Sequence, residues 1–508
     1  VTIGIIVIIV FLIAAVLMFF RKLPALLALP LMALAIALVE VIAGRLSPKE
    51  VSLAVIADGS IRLMEPIVIS FFGGMLSFLM QKSSVAEHFI KHGAELAGDN
   101  PLVLSIVMLT VIGLLFTTIG GLGAVIMVAT IVLPILASVG VREYIIGGVF
   151  LIGISLGGVL NANNWAVYRS VLQLDIHIVS GYALIIFAIL IPVSLAFIII
   201  ELWRTGSTKF QLKHVVVSVS VLVVLGALYL IGRFVLQGFD FGIVLIILRW
   251  AVALVGALII LLIIIDLIKQ SRKKMSPLVH WYAYLIPLVP LVLILLFDVH
   301  VLTAFIIGLG YGFIVTLRRG SLNMLVQSII EGGSSVMPAV MLMIGIGMLL
   351  STILGPTQNG PAKYWYTEHA AAATGTTIQT PQPEEWPVLS DMKPLFQKVI
   401  PHSFLSFVLV FTLLGPLALY RGPLNIWGLG YGIAGILLSS GLLPATAIMS
   451  MLMSTGIIQG ISDPTNTHNV WLANELRTDV QTLMWRTLPY SWFAAFVGLL
   501  IAGLKYLS

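Results

Sequence analysis

The sequence predicts an all-α polytopic membrane protein, with about twelve transmembrane helices and two re-entrant hairpins set in two inverted repeats. Three observations lead there. Of 508 residues, 60% are hydrophobic and only 9% charged, with a mean hydropathy of +1.12; a soluble chain of this length would carry far more charge. The apolar residues come in runs of roughly 17–25, each long enough to cross a bilayer as a helix. Two of these runs are interrupted by one polar spacing, Asn161-Ala-Asn-Asn164 and Asn466-Thr-His-Asn469, 305 positions apart. Unwound backbone at membrane depth must be buried in protein or line a cavity. Matching interruptions in two halves of a chain therefore point to a binding site.

The first repeat covers residues 1–201. Spans are expected at 2–20, 23–44 and 65–80; the first has no basic leader and no small-residue cleavage site, so it reads as a span rather than a signal peptide. Residues 81–100 scatter Lys82, Glu87, His88, Lys91, His92, Glu95 and Asp99 among apolar positions, the pattern of an amphipathic helix lying in the interface. Two apolar arms, 101–118 and 122–138, meet at Thr117-Thr-Ile-Gly-Gly121, which is too short for a loop and too glycine-rich to continue a helix. This is the first hairpin, 101–138. A broken span, 144–175, and a full span, 177–201, complete the repeat.

Residues 202–280 supply two bridging spans, 213–236 and 242–268, before the order recurs in residues 281–508. Spans at 282–298, 300–317 and 336–354 precede a polar loop, 355–398. The second hairpin, 400–442, has arms 400–419 and 424–442 meeting at Tyr420-Arg-Gly-Pro423; a broken span, 446–480, and a last span, 484–506, follow. Other landmarks recur. Pro101 and Pro401 both open a hairpin, and Gly-Met-Leu stands at 74–76 and 347–349. Asp58-Gly-Ser60 with Pro66 and Glu331-Gly-Gly333 with Pro338 both precede a third span, where the acids read as cytoplasmic or interfacial caps.

Seven crossings separate the two first spans, an odd number, so the repeats are expected to be inverted. With both termini outside a bacterial plasma membrane, the cytoplasmic side receives Arg21-Lys22, Arg142, Arg204, Arg272-Lys-Lys274 and Arg318-Arg319, as the positive-inside rule prefers. The net charge of +6 lies in such short clusters and implies no nucleic acid. The chain has no cysteine, which removes disulfides and thiolate metal sites. A phosphate-binding G-x-x-x-x-G-K-[ST] and a zinc-binding H-E-x-x-H are also missing, so no enzyme and no bound cofactor are expected.

Chemistry concentrates at the tips and breaks. Thr117, Thr118, Gly120 and Gly121 offer hydroxyls and bare amides beside Asn161, Asn163 and Asn164; Arg421, Gly422, Pro423 and Asn425 face the run Ser462 to Asn469. Oxygens of Thr118, Asn161, Asn164, Asn425, Asp463, Asn466 and Asn469 are candidate sodium ligands. Thr117, Thr118, Gly120, Gly121, Asn163, Arg421, Gly422, Pro423, Thr465, Thr467 and His468 are candidates to hold a small solute on half-helix N-termini. The plainer alternative is that these groups only cap broken helices. Asp463 is both a costly ionisable group at membrane depth and a natural cap before Pro464. Arg421 either meets a carboxylate or snorkels to the outer interface.

This order of spans, amphipathic helix, hairpin and broken span, repeated in inverted sense, resembles the ion transporter superfamily, which includes divalent anion/sodium symporters, the large membrane subunit of TRAP transporters and gluconate and citrate permeases. The likeness is architectural and covers nearly the whole chain except the bridge; the Ser-Asn-Thr tips of the symporters are replaced here by Thr117-Thr118 and Arg421-Gly-Pro423. It implies a homodimeric elevator, with the substrate subfamily left open by the tips. The half-helix N-termini, the hydroxyls and Arg421 lead to the expectation of a small organic anion, a carboxylate by preference, moved on a sodium or proton gradient. A sodium/proton antiporter is the alternative within the same group, and a passive channel a more distant one. A separate binding protein is compatible with the likeness but nothing in the sequence indicates one.

Overall fold

A computed structural model describes residues 2–20, 22–207, 241–272, 279–317, 320–357, 361, 386–396, 400–401 and 403–507. Among the described residues the chain is helical, without a strand. Eight helices are long and apolar enough to cross a membrane, or nine counting one bent pair as a single span. The fold is that of a multi-pass helical membrane protein.

Helices α1 (Thr2–Phe19) and α2 (Ala25–Ile42) fall where expected. The expected third span, 65–80, is only the latter part of a 35-residue rod, α3 (Pro48–Lys82). A reciprocal cap starts it: Glu50 N–H donates to Ser47 Oγ and Ser47 N–H to the Glu50 carboxylate, with Pro48 at the first helical position. Polar residues 58–62 imitate a loop in the sequence, yet they are built into the rod. Asp58 closes a π-helical stretch, Val51–Asp58, and is wholly buried. Its two oxygens accept the Thr357 N–H and hydroxyl, each at 2.7 Å. Asp58 is therefore no interfacial cap; it ties α3 to the segment after its partner helix. Glu331, by contrast, is exposed and pairs with Lys82 at 2.9 Å.

That partner, α13 (Ser321–Leu354), is likewise longer than the expected 336–354, at 34 residues. The two rods cross at glycines. A Cβ on Gly74 would lie 2.5 Å from the Gly332 carbonyl, and one on Gly59 2.7 Å from Met348 Cα beside Gly347. Gly332 and Gly347 each stand 273 positions after Gly59 and Gly74. The two contacts therefore exchange under one shift of register. Helix α2 leans on α13, and α12 (Val301–Val315) leans on α3 in the corresponding way. The expected span 282–298 is divided: a 3₁₀ turn, Trp281–Leu285, meets α11 (Leu288–Phe297) at Pro287, which has no N–H to continue the ladder.

Helix α4 (Val85–Ala97) is the expected amphipathic piece, and a hydrogen bond from Lys91 holds the Glu87 carboxyl below the usual carboxylate range. Part of the expected polar loop 355–398 is also helical. Here α14 (Pro387–Phe396) stands just ahead of the second hairpin, as α4 does ahead of the first, and Trp386 Nε1 donates to the Thr352 carbonyl at 2.8 Å.

The first hairpin is α5 (Pro101–Phe116) and α6 (Gly121–Ser138), with the Asn100 side chain capping the first arm and Gly121 at φ +82° making the turn. In the second, α15 (Phe404–Leu413) stops short of the expected 400–419, giving way to a 3₁₀ turn at Gly415–Ala418 before α16 (Tyr431–Ser440). The first broken span, α7 (Glu143–Val159) and α8 (Ala162–Leu172), bends by 55°. The second, α17 (Ala445–Ser462) and α18 (Thr467–Glu475), ends before the expected residue 480 and has no comparable bend. The last spans of each half are α9 (Ile176–Arg204) and α19 (Val480–Tyr506). Helix α10 (Phe241–Arg272) matches the second bridging span; the first, 213–236, lies outside the described residues.

Packing divides the helices. Helices α5, α7, α9, α17 and α19 pack as one body, and α2, α3, α12 and α13 as a framework beside it; α8 lies between them, against α3 on one side and α9 on the other. Most of the apolar part of Ala445–Glu475 is buried, whereas little of Val244–Asp266 is, and the latter presents its apolar side chains outward.

Candidate functional site

The first half-site is assembled around Asn161, which caps α8. Its Oδ1 accepts the Asn163 N–H at 3.0 Å, and its Nδ2 donates to the Phe116 carbonyl at 3.2 Å. One amide group thus fastens the break to the hairpin tip and meets an orphan carbonyl at the end of α5. Asn164 Nδ2 donates back to Gly158 O at 2.8 Å, and Asn163 Oδ1 accepts from Ser70 of α3 at 2.9 Å. Thr117 Oγ1 donates to its own helix and to Pro287 O at 3.2 Å. Thr118 Oγ1, in contrast, is buried with no hydrogen-bond partner.

The second half-site is built on Asp463, which is wholly buried. Its Oδ1 accepts from Tyr420 N, Thr465 N and Thr465 Oγ1, and its Oδ2 from Asn425 Nδ2 at 2.9 Å. Asn425 Nδ2 also donates to Ala418 O, so break and tip are again joined through one amide. Asn466 and Asn469 donate to Gln459 O and Ile461 O, at 2.7 and 3.1 Å. The amide nitrogens of Asn161, Asn164, Asn466 and Asn469 all donate to backbone carbonyls, as the capping alternative expects. It leaves the acceptors unexplained. Among the described residues seven buried side-chain polar atoms have no hydrogen-bond partner, and four belong to residues singled out by sequence: Thr118 Oγ1, Asn425 Oδ1, His468 Nε2 and Asn469 Oδ1. Unpaired buried polar atoms are rare because each costs about 1–3 kcal/mol.

The two half-sites sit on touching helices. A Cβ on Gly460 of α17 would be 2.8 Å from Ser155 Oγ of α7. Ser155 and Gly460 are 305 positions apart, the same interval as Asn161 and Asn466, and each stands six residues before its asparagine. Two half-helix N-termini, those of α6 and α18, carry no side-chain cap.

Other expected residues take lesser places. Arg421 neither snorkels outward nor forms an ion pair among the described residues; its Nη1 donates to Trp427 O at 3.3 Å within its own tip. Gly422 is packed under the Leu417 carbonyl, with no room for a side chain. Pro423 and Gly120 shape the turns, and Thr467 is exposed on the first turn of α18. Gly121 turns the first tip close to Ser335 O. Sequence reasoning missed Ser70 and Gln459, whose Oε1 accepts the Ile426 N–H at 2.9 Å. Gln459 carried a signal, a polar side chain inside an apolar span; Ser70 did not, since serine is common in such helices. Among the described residues no three His, Asp or Glu side chains come together as a metal site. No protein-family model matches the chain, and no curated protein matches it.

Proposed function

We propose that this protein is a secondary active transporter that carries a small organic anion, a carboxylate by preference, on a sodium or proton gradient. The carrying observation is the set of unpaired buried acceptors on Asn425, His468 and Asn469, beside the buried Asp463 carboxylate. A cation supplies what such acceptors lack, and uncapped N-termini of α6 and α18 suit an anion. The exchangeable contacts at Gly59/Gly347 and Gly74/Gly332, and the crossing at Ser155/Gly460, support two inverted repeats. Adding the shorter apolar helices to the long ones supports the fuller count of about twelve spans with hairpins. An elevator motion then carries the body with both breaks against the framework, within a homodimer.

Four hydrogen-bond donors converge on the Asp463 carboxylate and leave it with acceptor chemistry only, which supports sodium coupling over the sodium/proton antiporter alternative. Proteoliposomes carrying a sodium or pH gradient and offered a panel of radiolabelled carboxylates test the reading. Gradient-dependent accumulation of at least one anion is expected; absence of uptake under either gradient would refute it.

A further inference from the structure

Glu65 lies 17 residues into the 35-residue rod α3, with its side chain one-third exposed. One of its oxygens, Oε1, is shared: Arg169 Nη1 of α8 stands 2.9 Å away and His300 Nε2, just before α12, 3.3 Å away. The Arg169 bond joins α8, which lies between α9 of the body and α3 of the framework, to α3, while the His300 contact stays within the framework. Five residues beyond Glu65 comes Ser70, which bonds Asn163, so this charged cluster adjoins the first half-site.

We propose that Glu65, Arg169 and His300 form a proton-sensitive latch, in which protonation of His300 frees Arg169 and releases the body from the framework. This rests on the elevator reading above. With a neutral imidazole, Glu65 has one cation to satisfy, and Arg169 holds it. An imidazolium at His300 places a second cation on the same oxygen and repels the guanidinium. When Arg169 withdraws, the full carboxylate charge is left to His300, so proton uptake favours the released state. Histidine ordinarily titrates between about pH 5 and 8, the range in which such a latch is useful. The other charged groups around it are accounted for. Asp298, two positions from His300, is held by Arg249 of α10 at 2.5 Å and faces His177 of α9 at 3.7 Å. A charged His177 would strengthen a second contact between body and framework, and so opposes the effect of His300.

The chain has no cysteine, so spin labels can be placed at Ile178→Cys on α9 and Ile307→Cys on α12, both exposed. Their distance distribution is measured in the full-length protein from about pH 8 to 5.5. Acidification is expected to populate a second distance, with one linked proton shifting the ratio by at most about tenfold per pH unit. His300→Gln should abolish that shift, and His177→Gln should enlarge it. Arg169→Gln and Glu65→Gln should populate the acid distance at every pH, whereas Arg169→Lys keeps the parent's response. Helical circular dichroism identifies any variant that misfolds, and either His300→Gln or Arg169→Gln suffices for the test. If His300→Gln titrates like its parent, or Arg169→Gln leaves the distribution unchanged while sodium moves it, the latch is refuted and the elevator survives. A distance fixed under pH, sodium and Arg169→Gln alike refutes both.

Discussion

At Asp463 one carboxylate gathers donors from three places in the chain: the Tyr420 backbone, the Asn425 amide and the Thr465 turn. Tyr420 and Arg421 both adopt left-handed backbone, at φ +55° and +59°, which costs a side-chain-bearing residue roughly 1–2 kcal/mol. The Asp463 bond helps hold that strained tip. Removing the carboxylate strands several donors, each at about 1–3 kcal/mol, whereas removing the Asn425 amide breaks fewer bonds. In the absence of sodium, Asp463→Ala should therefore unfold at a lower temperature than Asn425→Ala, and both below the parent. An Asp463→Ala protein as heat-stable as the parent would show that the tip is held by packing alone. The sequence pointed to Asp463 and to all five break asparagines through their position. It did not disclose their partners, because bonds such as Asn466 to Gln459 arise from the shape of the break.

Among elements, the crossing of α3 and α13 sets how closely the framework helices pack. Backbones approach at Gly59, Gly74, Gly332 and Gly347, where any side chain would strike a neighbouring main chain. Small residues at such crossings allow the dispersion contacts that hold helices together in lipid. Gly74→Leu should abolish or sharply reduce the yield of folded protein. Gly310→Leu on α12, which meets nothing within 4 Å, should leave yield and thermal stability near the parent's. Size-exclusion profiles of the two variants make the comparison, and equal profiles would mean that the rods separate freely. These rods were only half legible in the sequence. Hydropathy found their apolar ends but not the stretch around Asp58 and Arg62, whose polar groups are satisfied by Thr357, Ser351 and Gly355 across the rods' junction. The hairpins were more legible, since Thr117–Gly121 breaks helix geometry through local chemistry alone.

For the whole molecule, the question is which parts travel together. An elevator moves both half-sites as one rigid body, whereas a rocking pair of repeats moves them apart. The crossing of α7 and α17 separates these cases. Ser155 Cβ lies 4.0 Å from the Cβ that Gly460 would carry, inside the range of about 3.5–4.5 Å that a disulfide spans. Ser155→Cys with Gly460→Cys, in a chain free of other cysteines, is therefore expected to cross-link under mild oxidation. A bridge there fixes the first break to the second and leaves the boundary with α3 and α13 untouched. If the proposed transport holds and the body moves as a unit, the oxidised protein should support gradient-driven uptake at close to the rate of its reduced form. Uptake lost on oxidation and regained on reduction would mean that the two breaks must shift against each other during each cycle. The division into body and framework would then be wrong, and alternating access would have to arise from rocking between the repeats.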